Sequence, residues 1–169
     1  IAGRFSNSLN IFYDDIASRN HNVLHLSGGG KIEYEKLVLA TGSRAIEPPI
    51  DGIQRDGVIL INQDPEQIRK IKTEALDAES VVIYGGGYLG VELCDELLRA
   101  GKQVTIIEKS KRLMPSSFDA DTSNKVKEVI ENLGGKVILD VKIKSVLGID
   151  AVTGVKLSSD EIIDCDFLM

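Results

Sequence analysis

The sequence predicts an α/β fold in which a doubly wound parallel sheet is followed by an antiparallel β-meander. Residues 80–84, SVVIY, form the apolar, β-branched run typical of a parallel strand buried on both faces. A glycine cluster, an amphipathic helix and a second apolar run at 103–107 follow directly. Beyond residue 140, three short apolar runs alternate with turn residues. Strand, helix and strand in this order predict parallel pairing with a right-handed crossover.

The composition is that of a soluble globular protein, since 43% of the 169 residues are hydrophobic and the net charge is −6. This length suits one domain or parts of two. The acidic balance argues against nucleic acid as a partner, and no apolar run approaches the roughly 20 residues of a membrane span. Two cysteines without C-x-x-C spacing favour a reducing, cytoplasmic setting. The chain starts with Ile and ends within an apolar run, which predicts a piece of a longer protein.

The first 45 residues predict a hairpin and one more strand. Residues 1–20 have weak periodicity, so they are extended or partly helical. Short strands at 23–26 and 31–34 bracket the glycine turn 27–30. Residues 37–40 are expected to form a short buried strand that Thr41, Gly42 and Ser43 turn sharply. His21 and His25 lack further ligands nearby and are expected at or near the surface rather than in a metal site.

A stiff connection and a helix precede the parallel sheet. The run IEPPIDG at 46–52 contains two prolines, which bar a helix and mark the expected domain boundary. Residues 57–62 are a further candidate strand. Asp64 and Pro65 are a helix start, with a capping side chain followed by proline in the first turn. The expected apolar side of that helix consists of Ile68, Ile71, Ala75 and Leu76.

The glycine cluster at 85–90, GGGYLG, fits the pattern G-x-G-x-x-G between a strand and a helix. Gly85 permits the tight turn, Gly87 lets the backbone approach a pyrophosphate, and Gly90 lets the helix pack closely on the strand. The following helix is expected to take the place of the phosphate-binding helix of a Rossmann fold, with the positive end of its dipole facing a phosphate. It is expected to end at Gly101. Its expected apolar side is formed by Leu89, Val91, Leu93, Cys94, Leu97 and Leu98.

Glu108 ends the second strand about 20 residues beyond the glycines, where a carboxylate accepts hydrogen bonds from a ribose 2′-hydroxyl. Its charge would repel a 2′-phosphate, so the sequence predicts NADH in preference to NADPH. Three cations follow at Lys109, Lys111 and Arg112 and could clamp a 2′-phosphate. They lie in a predicted polar loop, where such side chains are usually solvated, and therefore weigh less than Glu108.

The remaining elements complete one mononucleotide-binding half and a meander. Residues 109–118 are expected to be a polar loop, and 119–133 a helix ending at Gly134 and Gly135. Its expected apolar side comprises Val126, Val129, Ile130 and Leu133. Residues 137–139 then form a third parallel strand. Short antiparallel strands are expected around 141–146, 155–157 and 162–163.

Two stretches, KLVLATGSRAIEPPIDG and VVIYGGGYLGVELCDELLRAGKQVTIIEK, resemble the FAD- and NAD(P)-dependent pyridine nucleotide-disulfide oxidoreductase superfamily. The resemblance is nearest to the NADH oxidase, nitrite reductase and rubredoxin or ferredoxin reductase group. It implies a flavoprotein fragment lacking both FAD-binding ends. Residues 1–45 would be a partial flavin-domain segment, 46–79 a connecting segment with a helix, and 80–169 an NAD-binding domain truncated at its carboxyl end.

In the family, hydride passes from NADH to FAD and on to an acceptor that this sequence does not identify. The resemblance places Tyr88 over the nicotinamide and Glu92 near the nicotinamide end. The same residues also suit an exposed loop aromatic and a first-turn acid beside the helix dipole. The expected cofactor-binding residues are Gly85, Gly87, Tyr88, Leu89, Gly90, Glu92, Glu108 and Lys109 on the NAD side and Ala40, Thr41 and Gly42 on the FAD side.

The sequence lacks the redox disulfide spacing C-x₄-C, and Cys94 is expected to be a buried, inert thiol. No catalytic side chain or metal ligand is therefore predicted. Partners are expected to be a small-molecule nucleotide and a redox acceptor, with neither nucleic acid nor membrane, and a homodimer is left open. Two alternatives stay open: a nucleotide-sensing module without turnover, and a protein of the apoptosis-inducing-factor type. The fragment alone is expected to be inactive.

Overall fold

The computed structural model describes residues 10–42, 45–61 and 65–169, and of residues 65–67 and 70 it describes the backbone only. The chain divides into two compact units, Ile1–Thr41 and Gly42–Met169. The sequence-predicted boundary at 45/46 lies slightly later. The assignment of the two parts to a flavin and an NAD domain stays a prediction.

The first unit contains a three-stranded antiparallel sheet in the order β1-β2-β3. Its strands are β1 (Ile16–Asn20), β2 (Val23–Leu26) and β3 (Lys31–Glu33). The hairpin between β2 and β3 is confirmed. Gly29 has φ 88°, a conformation that glycine adopts without penalty. His21 is exposed and His25 half-buried, and no group of three or more potential ligands for a metal ion occurs in the part of the chain that the structure describes.

The predicted buried strand at 37–40 is wrong. These residues lie outside any strand, and Val38 and Leu39 are 84% and 73% exposed. An apolar run is buried in a sheet only when other strands flank it. Within the described residues, no strand pairs with this segment.

The second unit contains a parallel sheet and a separate antiparallel meander, as predicted, but the parallel sheet has four strands rather than the three expected. Its helices are α1 (Pro65–Asp77), α2 (Tyr88–Arg99) and α3 (Ala120–Asn132). Its strands are β4 (Ser80–Tyr84), β5 (Gln103–Glu108), β6 (Lys136–Leu139), β7 (Ile143–Leu147), β8 (Gly154–Leu157), β9 (Ile162–Asp164) and β10 (Phe167–Leu168). The parallel sheet has the order β10-β4-β5-β6, and the meander has the order β7-β8-β9. None of the described helices has the length and apolar character needed to cross a bilayer.

Two hydrophobic clusters cover the two faces of the parallel sheet. Val81, Ile83 and Ile106 belong to the cluster that includes residues of the helices, whereas Val82 and Ile107 belong to the cluster that includes residues of the meander. This alternation follows from the period of two along a strand. It explains why the sequence of β4 is apolar throughout, since both of its faces are buried.

The run at the carboxyl end of the chain forms the fourth parallel strand, which the sequence pattern does not indicate. Phe167 and Leu168 of β10 pair with Val81 and Val82 of β4. The candidate strand at 57–62 is only an isolated bridge between Val58 and Leu168 over its described part. Two residues of regular pairing are too few to leave a recognisable periodicity in the sequence.

The buried sides of the helices are narrower than the apolar patterns suggested. Ile71 and Ala75 of α1 are buried, but Ile68 and Leu76 are 51% and 45% exposed. Five expected members of apolar sides are thus about half exposed: Ile68, Leu76, Leu89, Val129 and Leu133. Each helix covers only one face of a sheet, so the flanks of a broad apolar stripe stay in solvent.

Candidate nucleotide-binding site

The glycine turn joins the carboxyl end of β4 to the start of α2, and its three motif glycines have different surroundings. Gly85 has φ 129°, which side-chain-bearing residues rarely adopt. A Cβ on Gly90 would overlap the carbonyl oxygen of Gly85, so the helix and the turn touch there. A Cβ on Gly87 would meet no atom within 4 Å. The backbone at Gly87 therefore faces open space into which a ligand can come close.

Helix α2 begins without a side-chain cap. Its N-cap is Gly87, and no side chain accepts a hydrogen bond from its first turn. Helix α3 differs, because Asp119 Oδ1 accepts from Thr122 N at 2.8 Å and this bond lowers the pKa of Asp119. The first amides of any helix lack partners within the helix and carry the positive end of its dipole. In α2 they are available to an anion, and phosphate groups bind at such ends.

Glu108 lies at the carboxyl end of β5 and is only 6% exposed. Its Oε2 accepts a hydrogen bond from Gly86 N at 2.7 Å, and its Oε1 accepts from Ser110 N at 2.7 Å. The carboxylate thus ties the glycine turn to the loop that follows β5. A carboxylate offers about four acceptor positions, so roughly two remain for an outside donor such as a ribose hydroxyl.

The loop at 109–118, called here the clamp loop, packs against the glycine turn. Leu113 and Met114 are 1% and 7% exposed, so the prediction of a polar loop is wrong for these two residues. Met114 N donates to Gly86 O at 2.7 Å, and a Cβ on Gly86 would collide with the Leu113 side chain. Two apolar residues within a polar stretch give no periodicity from which their burial could be recognised.

An apolar cavity of about 490 Å³ opens beside the glycine turn. Its walls come from residues 45–61, from the turn and the start of α2, and from the end of β10. Ile83, Tyr84, Tyr88 and Leu89, which flank the glycines in the sequence, also line it. The contribution of the proline-rich segment was not predicted, because nothing in the pattern of 46–61 places it next to the turn.

The other predicted NAD-side residues lie around this turn, with one correction. Tyr88 is 61% exposed and makes an edge-to-face contact with Phe118, with ring centroids 6.0 Å apart. Glu92 is exposed but lies beyond the first turn of α2, which contains no acidic residue, so its description as a first-turn acid is wrong. Leu89 is half exposed and lines the cavity. Lys109 is exposed.

The predicted FAD-side residues Ala40, Thr41 and Gly42 are exposed and belong to no helix or strand. Gly42 has φ 73°, in keeping with a sharp change of direction. These residues offer backbone groups to a ligand but no enclosing walls. Their assignment to a flavin site stays a prediction.

Both cysteines are buried and separate from the glycine turn. Burial raises the pKa of Cys94 to about 11 and that of Cys165 to about 12, and neighbouring aspartates contribute to both shifts. A thiol acts as a nucleophile in its ionised form. Neither side chain is therefore suited to thiol chemistry near neutral pH.

Comparison with known proteins identifies a family from the sequence and finds the same fold among solved structures. The family model described as pyridine nucleotide-disulphide oxidoreductase matches residues 5–169. The nitric oxide reductase FlRd-NAD(+) reductase of Salmonella paratyphi A is 31% identical over 172 aligned residues, which cover 98% of this chain and 44% of that protein. The chain thus spans less than half the length of this curated relative.

Solved structures share the fold. A ferredoxin reductase from Rhodopseudomonas palustris has a TM-score of 0.82 at 25% sequence identity. The match covers 93% of this chain and 39% of the reductase chain. A water-forming NADH oxidase from Lactobacillus brevis, solved with NADH bound, has a TM-score of 0.72 at 24% sequence identity. The match covers 87% of this chain and 33% of the oxidase chain.

Proposed function

The chain belongs to the pyridine nucleotide-disulphide oxidoreductase family, and from this premise we propose that it is the NADH-binding part of an FAD-dependent oxidoreductase. The observation that carries the proposal is the open backbone at Gly87 beside the uncapped start of α2. A turn that served packing alone would not need an open approach to Gly87. A dinucleotide-binding turn does, because the pyrophosphate must come close to the backbone there.

Three parts of the second unit would each bind a different part of NADH. The first amides of α2 would bind the pyrophosphate, and the remaining acceptor positions of Glu108 would bind the adenosine ribose. Tyr88 and the apolar cavity would receive the nicotinamide end. NADH supplies a hydride and FAD accepts it, which is chemistry that belongs to the cofactors, while the protein supplies binding and orientation.

The flavin part of the proposal has weaker support from the chain itself. Ala40, Thr41 and Gly42 are exposed, so the FAD site is proposed from family membership alone. The relatives named above are described as reductases of different partners and as an oxidase. We therefore assign no acceptor, and we keep the cytoplasmic location as a prediction.

The test is anaerobic titration of the natural full-length protein with NADH. We expect the purified protein to show a flavin spectrum that NADH bleaches. A second titration of a variant in which Gly87 is replaced by Val should show no bleaching at the same NADH concentrations. A colourless protein would contradict the flavin part, and a yellow protein that NADH cannot reduce would contradict the NADH part.

A further inference from the structure

Two polar side chains are buried among the described residues, Glu108 and Ser123, and both hold the clamp loop. Glu108 bonds to Ser110 N near the start of that loop. Ser123, which is 1% exposed and is the fourth residue of α3, donates from Oγ to the carbonyl oxygen of Leu113 at 2.7 Å. The clamp loop is thus fixed from β5 on one side and from α3 on the other.

The bond of Ser123 is not the usual one for a serine within a helix. Such hydroxyls commonly bond to the carbonyl four residues earlier in the same helix. Here the carbonyl of Asp119 accepts from the backbone N of Ser123 at 3.1 Å, and the hydroxyl reaches outside α3 to Leu113. A buried carbonyl that loses its donor is costly, so this contact fixes where Leu113 lies.

Leu113 and its neighbour Met114 transmit that position to the glycine turn. The Leu113 side chain occupies the space above Gly86, and Met114 N donates to Gly86 O at 2.7 Å. Met114 has φ 47°, a left-handed conformation that side-chain-bearing residues avoid unless their surroundings enforce it. The N–H of Gly86 is bound to Glu108. Both backbone polar groups of Gly86 are therefore fixed.

We propose that Ser123 is a positioning residue for the nucleotide site, acting through Leu113 and Met114 on the glycine turn and so on Glu108. This inference rests on the proposed function. Removing the hydroxyl frees the Leu113 carbonyl and loosens the clamp loop, so the turn samples conformations that do not bind pyrophosphate. The clamp loop reaches the nicotinamide end only through Phe118, whose ring contacts Tyr88 edge to face, whereas it contacts the glycine turn directly at Gly86. The main effect is therefore expected on the fraction of protein that binds NADH.

The experiment compares steady-state NADH oxidation by the natural full-length protein, loaded with its flavin, with that by Ser123→Ala, using ferricyanide as an artificial acceptor that takes the two electrons from the reduced flavin. We expect KM for NADH to rise about five- to tenfold while kcat changes less than about twofold. Ser117→Ala removes an exposed hydroxyl from the same loop and should leave KM unchanged. Val155→Ala opens a cavity in the meander, where the side chain is fully buried, and should lower the melting temperature without changing KM.

The outcomes separate the two proposals. If Ser123→Ala loses thermal stability as Val155→Ala does and keeps the wild-type KM, the serine is only structural and the inference is overturned. If the alanine variant does not fold, Ser123→Cys keeps the shape of the side chain with a slightly larger and weaker donor and should raise KM by a smaller factor, whereas an unchanged KM again overturns the inference. A wild-type protein that binds no NADH would instead refute the proposed function on which the inference depends.

Discussion

The carboxylate of Glu108 accepts a hydrogen bond from the backbone N–H of Gly86 at 2.7 Å, joining the end of β5 to the middle of the glycine turn. The predicted ribose ligand Glu108 is therefore tied to the glycine turn through Gly86, the neighbour of Gly87, which was predicted to face the pyrophosphate. A change at Glu108 alters the turn as well as the ribose contact. This double role shapes the expected behaviour of its variants.

Cofactor choice is the first prediction. We expect the wild-type protein to bind NADH at least about tenfold more tightly than NADPH, which corresponds to about 1.4 kcal/mol. In Glu108→Ala the preference should shrink, since the carboxylate no longer faces the 2′-phosphate, and NADH affinity itself should fall because Gly86 loses its acceptor. Dissociation constants for both nucleotides decide the matter.

Glu96→Ala is the control, because this substitution removes the same charge from an exposed position on α2 beyond the glycine turn. It should leave the ratio of the two constants unchanged. Equal binding of NADH and NADPH by the wild-type protein, or tighter binding of NADPH, would refute the assignment of Glu108.

The second prediction separates the two functions of the motif glycines. Gly87→Val should abolish nucleotide binding with a loss of stability below about 1 kcal/mol, since its φ of −80° suits any residue and its Cβ has free space. Gly90→Ala should cost about 1–3 kcal/mol, because its Cβ would overlap the carbonyl oxygen of Gly85. Denaturant unfolding and NADH titration of both variants test this pair. Wild-type affinity in Gly87→Val would show that the glycines serve packing alone.

Sequence patterns predicted the parts of the fold that repeat over many residues. The run of β4, the glycines and the length of α2 gave the central strand-helix-strand unit, because burial on two faces requires a continuous apolar run. The three meander strands were also recognisable from their turns. In the candidate site, the strand-end position of Glu108 followed from spacing alone.

Features that depend on contacts between distant segments were not predictable in this way. The clamp loop reads as polar, yet Leu113 is buried because it packs against Gly86, 27 residues earlier. Ser123 has no pattern that distinguishes it from a solvent-exposed helix serine. The incorrect prediction of a strand at 37–40 has the same cause, since apolar residues indicate burial but do not show whether another strand lies beside them.

The third prediction concerns the thiols. Because folding raises the pKa of Cys94 to about 11 and that of Cys165 to about 12, the unfolded chain ionises first as pH rises past their ordinary value of 9.0. The protons are then retained only in the native state, so their contribution to stability is complete below about pH 9 and falls between about pH 9 and 12. Urea midpoints at pH 8 and 10 should differ less when both cysteines are replaced by alanine than in the wild type. If the urea midpoints of the wild type and of the double variant shift equally between pH 8 and 10, the raised pKa values of the two cysteines are contradicted.

The last prediction concerns the 169-residue chain by itself. We expect it to bind NADH weakly or moderately through the second unit, where the glycine turn, α2 and Glu108 are all present. We expect it to bind little or no FAD, because Ala40, Thr41 and Gly42 are exposed and supply backbone groups without walls. A binding site that buries too little of its ligand cannot offset the cost of association.

The measurement is a visible spectrum of the purified chain after incubation with FAD and gel filtration, followed by an NADH oxidation assay. Stoichiometric flavin absorbance, or steady turnover of NADH, would show that the flavin site lies within these residues and that the predicted division at 45/46 is wrong.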